Sequence, residues 1–207
     1  MTDVHRTFTP AETAYLLRKP VQAVKKALDR GPVRSHLVNK SGISIRTILW
    51  RDVLYMLADQ SLRENLSATG RANFYDALKN AQPTKIKEIS FDNLSFELEV
   101  FIKELDERTQ ELNRLFAEVE FRSDGEAILK GTSIEVYRIA ALLSGGLTVK
   151  DILADYPSLS KEKVEVAGAY ATAHPKAGRP YPKTTVKRAL KNAGFEAFDD
   201  LDEVEEA

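Results

Sequence analysis

Apolar residues recur at three- and four-residue spacing over the first sixty positions and again beyond position 132, and the breaks between runs fall at capping residues, prolines and glycines. The first run opens with "TPAE", which puts Thr9 at an N-cap, Pro10 at the first helical position and Glu12 where it can cap Thr9 in return. Ala14, Leu17 and Tyr15 supply its buried stripe. Pro20 closes this helix or opens the next, and Val21, Val24, Ala27 and Leu28 carry the helical spacing on to Gly31, read as a C-terminal stop. Two short helices joined by a tight turn predict a helix-turn-helix. "PVRSHLV" and "ISIRTI" then flank the turn-forming "NKSG", a hairpin that would serve as a wing. Leu49, Val53, Leu54 and Leu57 return to helical spacing and close the unit near residue 60.

Downstream, "RANFYDALKNA" reads as helix and "KIKEISFDNLSFELEVF" as strands, before a charged amphipathic helix from Ile102 to Glu120. In that helix Leu105, Leu112 and Val119 fall seven apart, which leaves two readings open: an intermolecular seam, or a helix packed on its own domain. "FRSDGEAILKG" predicts a hairpin at Asp124-Gly125, and "TSIE" a helix capped by Thr132 with Glu135. A second helix starts at Thr148 with Asp151, a third at Ser160, and "KTTVKRALKNAG" supplies one more. The chain is therefore expected to be mainly α with small β-hairpins. Its expected parts are a winged helix-turn-helix over residues 1–62, a connecting or dimerisation region over 63–120, a three-helix, helix-turn-helix-like unit of homeodomain type over 121–181, and a short helix with an acidic tail over 182–207.

Charge changes this picture more than composition does. The whole chain carries 30 Lys and Arg against 31 Asp and Glu, yet residues 1–60 hold ten cations against five anions, and the eight cations of 61–120 face twelve anions. Such segregation points to a nucleic-acid-facing module joined to something else. No apolar run approaches a membrane span, the N-terminus lacks an apolar signal region, and there is no cysteine for disulfides, thiolate metal sites or a thiol nucleophile. A cytoplasmic, nucleoid-associated protein without a membrane partner is expected.

The block "AILKGTSIEVYRIAALLSGGLTVKDILADYPSLSKEKVEVAGAYATAHPKAGRP" resembles a bacterial domain family long catalogued as of unknown function, whose members occur as antitoxins. The resemblance covers roughly residues 121–180 and is most specific in "LTVKDILADYPSLSKEKVEVA". Longer members are similar to this chain in carrying a MerR-like or excisionase-like N-terminal winged helix. The resemblance implies a VapB-like antitoxin of a type II toxin–antitoxin pair, which masks a PIN-like ribonuclease toxin and represses the shared operon by binding its own promoter. Members usually show a Gly-Gly-x-Pro segment and an arginine in "GTRIPV", whereas this chain reads "GTSIEV" with Ser133 in the arginine's place, so no role passes to that position.

With Val21, Val24 and Leu28 inward, Gln22, Lys25, Lys26, Asp29 and Arg30 point outward. Gln22 would read an adenine edge, and Lys25, Lys26 and Arg30 would meet phosphates or guanines, with Arg34, His36, Lys40 and Arg46 extending the surface along the hairpin. A merely solvated face is the alternative, as is a protein-interaction module or regulator without a toxin partner. The third helix of the 121–181 unit, with Lys161, Glu165, Gly168 and Thr172 outward, is not expected to read DNA. "HPKAGRPYPK", with Arg179, reads as a linker in preference to a minor-groove hook. In the tail, Phe195, Phe198, Asp199, Asp200 and Leu201 would lie across a basic toxin cleft, unless the tail is simply solvated. His5, His36 and His174 show no metal-ligand spacing, and "GEAILKGTS" places Lys130 before Gly131 where a phosphate-binding loop needs it after. No catalytic residue, metal, cofactor or enzymatic activity is expected, and a homodimer is, because paired winged units read half-sites one helical turn apart.

Overall fold

The computed structural model describes residues 3, 5–40, 42–176, 178 and 181–192. The described residues are mainly α-helical with small antiparallel sheets of two and three strands, the class the pattern predicts. They fall into two compact units, one of Met1–Arg114 with Thr172–Pro175 and one of Leu115–Ala171 with Lys176–Ala207.

The first unit begins with β1 (Thr7–Phe8), α1 (Pro10–Leu17), α2 (Val21–Arg30), β2 (His36–Lys40), β3 (Ile43–Leu49) and α3 (Trp50–Asn65). The strands form one antiparallel sheet in the order β1-β3-β2, so the β2–β3 hairpin stands beside the two helices as a wing. The Thr9–Glu12 capping box forms, with Pro10 at the helix start. Helix α1 stops before Pro20 acts on it. Arg18 takes the left-handed conformation at φ 51°, with its N–H on the Tyr15 carbonyl and that of Lys19 on the Ala14 carbonyl, the bond pair of a Schellman end. Pro20 then stands at the N-cap of α2, where its missing N–H interrupts neither helix. Gly31 ends α2 for a different reason than a left-handed turn. Its φ is −89°, its N–H bonds the Ala27 carbonyl at 2.7 Å, and a Cβ there would lie 2.6 Å from that same oxygen.

The unit continues through α4 (Ala68–Asn80), a 3-10 turn at Pro83–Lys85, the hairpin β4 (Glu88–Phe91) and β5 (Leu94–Glu97), and α5 (Glu99–Ala117). Fully buried Phe74 of α4 meets Phe91 and Phe96 edge-on, with ring centroids 5.7 and 5.5 Å away, and lies 6.3 Å from Tyr55 of α3. Helix α4 and its hairpin thus share a core with the winged elements. In α5, Leu105 and Leu112 are fully buried within the chain, and Val119 belongs to a strand beyond the helix. That row is spent on internal packing, the second of the two readings.

The second unit contains β6 (Val119–Phe121), β7 (Ala127–Leu129), α6 (Val136–Ser144), α7 (Val149–Asp155), α8 (Lys161–Ala173) and α9 (Val186–Asn192). Leu129, Val136, Ile139, Leu142, Ile152 and Val164 are the fully buried centre of its core. The Thr148–Asp151 capping box starts α7 as expected. The expected Thr132–Glu135 box does not form. Glu135 bridges to Ile128 and itself occupies the N-cap of α6, so the helix begins three residues later than expected. The Thr132 hydroxyl instead accepts from the Ile134 N–H at 3.2 Å and donates to the Leu129 carbonyl at 2.7 Å, tightening a turn.

Residues 181–192 return across α6 and α7. Arg138 donates to the carbonyls of Pro182 and Thr184, and Arg188 lies 2.8 Å from Asp155 and 3.3 Å from Asp151. The return passes so close to the end of α6 that a Cβ on Gly145 would sit 2.2 Å from the Lys183 carbonyl oxygen. Gly145 has φ −80°, which alanine tolerates, so Gly145→Ala is expected to act only by pushing this strap away, at about 1–3 kcal/mol. Faster amide exchange over 181–192 with α6 still protected is the expected readout; uniform exchange would place the damage in the core instead.

Candidate nucleic-acid interface

Helix α2 buries Val24 and Leu28 and half-buries Val21, which leaves Gln22, Lys25, Lys26, Asp29 and Arg30 exposed on the opposite side. Ala27, expected inward, is exposed, because it lies at the margin of a stripe only wide enough for Val24 and Leu28. Three cations, one amide and one carboxylate therefore share one accessible helix face.

The wing continues that surface in part. Arg34 and His36 are exposed, with the Arg34 guanidinium 3.4 Å from the Gly31 carbonyl oxygen. Arg46, paired across the ladder with Leu37, donates its Nε to the Ser35 hydroxyl at 2.7 Å and lies 3.5 Å from the Asp29 carboxylate. An exposed pair of this kind is worth about 0–1 kcal/mol, so its consequence is geometric: it ties the wing to the end of α2. A clue stood in the sequence, since Asp29 in the last helical turn opposes the macrodipole and needed another reason to be there. Lys40 pairs with Ile43 in the ladder, and its side chain lies outside the described residues. Leu37 is 74% exposed and Val38 46%, so the wing presents apolar as well as cationic side chains.

Beneath the wing root, Asp52 of α3 is 3% exposed and accepts the Tyr75 hydroxyl at 2.7 Å. Burial raises the Asp52 pKa, against the lowering effects of the Tyr75 hydroxyl, the Leu49 backbone and nearby His36 and Lys79. Burial, followed by the bond to Asp52, pushes the Tyr75 phenol up. A carboxyl whose folded pKa exceeds its unfolded one contributes stability fully present below the unfolded value and lost as pH rises through the folded one. The Asp52 contribution is therefore expected to be lost across that window, read as the difference between the urea midpoints of the protein and of Asp52→Asn at each pH, since lowered carboxyls such as Asp124 act on both profiles with the opposite sign. Parallel profiles for the two proteins would contradict it.

Flanking that face of α2, and sharing Lys26 and Arg30 with it, lies a groove of about 380 Å³, floored by Val33, Tyr55 and Met56 and rimmed by Lys19, Lys26, Arg30 and Arg63. Sequence reasoning missed Lys19 and Arg63. Lys19 sits in the turn between helices, and periodicity within α3 does not say which neighbour Arg63 faces.

In the second unit, Lys161 and Glu165 of α8 lie 3.6 Å apart as an exposed ion pair, so this line offers compensated charge. Arg122 is held between Asp124 and Glu135, and these acceptors raise its pKa while it lowers that of Asp124. Arg179 and the tail residues Phe195, Phe198, Asp199, Asp200 and Leu201 lie outside the described residues. Among the described residues no group of three or more His, Cys, Asp or Glu is placed to hold a metal ion, and no helix is long and apolar enough to cross a membrane.

These elements define a winged helix-turn-helix unit with a cationic second helix, followed along the chain by a small helical unit. Within that second unit, residues 122–171 match a family described as "Protein of unknown function (DUF433)". An uncharacterized protein, y4eO, of Sinorhizobium fredii (strain NBRC 101917 / NGR234) is 40% identical over 55 residues, which is 27% of this chain and 25% of that protein. The chain thus spans a quarter of the length of the curated relative it matches. The crystal structure of Rv2018 from Mycobacterium tuberculosis aligns over 77% of this chain and 95% of its own, at 12% identity and a TM-score of 0.32.

Proposed function

We propose that the protein is a duplex-DNA-binding antitoxin of a type II pair, which represses its own promoter through the winged unit and neutralises a PIN-like ribonuclease toxin. The observation that carries this reading is the exposed row of Gln22, Lys25, Lys26 and Arg30 on the second helix of a winged helix-turn-helix, where a major-groove reader stands. Arg34, His36 and Arg46 beside it supply further backbone contacts. The toxin-masking half rests on the resemblance of "LTVKDILADYPSLSKEKVEVA" to antitoxin sequences and on the acidic, Phe-bearing tail. A homodimer reading two half-sites about 34–36 Å apart, in the cytoplasm at the nucleoid, completes the proposal.

The test is a gel-shift series on the promoter of the chain's own operon. Specific binding with an affinity that falls steeply and linearly with salt on logarithmic axes is expected. Co-purification of a neighbouring ribonuclease-like gene product, lost on truncation after Gly194, tests the second half. Promoter affinity no greater than that for unrelated duplex would end the repressor reading, and undiminished toxin inhibition after truncation would end the tail's role.

A further inference from the structure

The groove beside α2 combines two features that duplex binding does not use together. Phosphates would meet Lys26 and Arg30 but gain nothing from the apolar floor of Val33, Tyr55 and Met56. Its volume of about 380 Å³ suits bulky side chains. The charge at its rim is cationic on balance, since the anion there, Asp59, is engaged by Arg63 at 2.8 Å while Lys19, Lys26 and Arg30 are exposed. The complementary ligand has closely spaced large apolar residues with carboxylates between them. The chain itself carries such a sequence: in "FEAFDDLDEV", Phe195, Phe198, Leu201 and Val204 recur every third position among five acidic residues.

The geometry points to this groove as a docking site for the acidic segment 195–204 supplied by a second copy of the chain. The apolar residues fill the floor and the carboxylates face Lys19, Lys26 and Arg30. A groove so occupied is closed to a duplex, because Lys26 and Arg30 are shared, and a segment so held is withheld from any other basic partner. The inference needs no DNA, so it stands or falls apart from the repressor reading.

The test uses the full chain and a labelled synthetic peptide of residues 194–207, followed by fluorescence anisotropy. Saturable binding is expected, weakened at least tenfold by Ala27→Glu, which puts a carboxylate into the groove from an exposed helical position and leaves the core intact. A peptide with serine at Phe195, Phe198 and Leu201 is expected to lose as much. Because the chain has no cysteine, a copy carrying Ala23→Cys mixed with one carrying Ala197→Cys is expected to yield an intermolecular disulfide on mild oxidation. No saturable binding, equal binding of the serine peptide, or no cross-link between copies would each overturn the proposal.

Discussion

Replacing Lys25 and Lys26 together by alanine is expected to lower promoter affinity roughly 60-fold at 0.1 M salt and to flatten the log–log salt slope by about 1.8. The size follows from counterion release at about 0.9 per phosphate neutralised, with one phosphate assigned to each lysine. Both side chains are exposed on α2, away from buried Val24 and Leu28, so the loss is electrostatic and thermal stability is expected to move by no more than about 0.5 kcal/mol. A gel-shift series at three or more salt concentrations reads slope and affinity together. An unchanged slope would remove this helix as the contact surface, even if the protein still bound DNA elsewhere.

Phe74→Ala is expected to cost about 3–5 kcal/mol, because the ring is fully buried and its loss leaves a cavity among Tyr55, Phe91 and Phe96. The effect belongs to the first unit. At roughly 2–8 °C per kcal/mol, according to the size of the cooperative unit, calorimetry would show its transition drop by about six degrees or more. A loss below about 1 kcal/mol would mean that α4 and the β4–β5 hairpin hang from the winged elements without sharing their core.

Most of the element order is legible in the chain because the signals are local. Thr9 with Glu12 and Thr148 with Asp151 cap helices where their spacing says they should, and Asp124-Gly125 turns a hairpin, whereas Asn39 and Lys40 of "NKSG" belong to the β2 ladder and not to the turn. Misreadings arise where two local rules compete. Thr132 and Glu135 satisfy the capping pattern, but Glu135 is recruited into a bridge to Ile128, and strand pairing outlasts the helix start. Gly31 looks like a left-handed stop, yet it answers to the closeness of one carbonyl oxygen.

The candidate interface divides in the same way. The outward set of α2 follows from helical periodicity alone, so Gln22, Lys25, Lys26 and Arg30 were accessible to sequence reasoning. The coupling of Arg46 to Asp29 and the placing of Arg63 across from α2 were not, because each depends on how separate elements meet. Asp52 carried a trace, a carboxyl amid the apolar residues that begin α3, but its partner Tyr75 lies 23 positions away.

The returning strap bears on how this half of the protein can be cut for study. The matched family segment stops at residue 171, short of every strap contact. A fragment excised at that boundary would strip Arg138 of two carbonyl acceptors and leave Asp155 without the Arg188 guanidinium. The natural edge for recombinant work lies past α9, and a boundary drawn from sequence similarity alone would amputate part of the building it was meant to isolate.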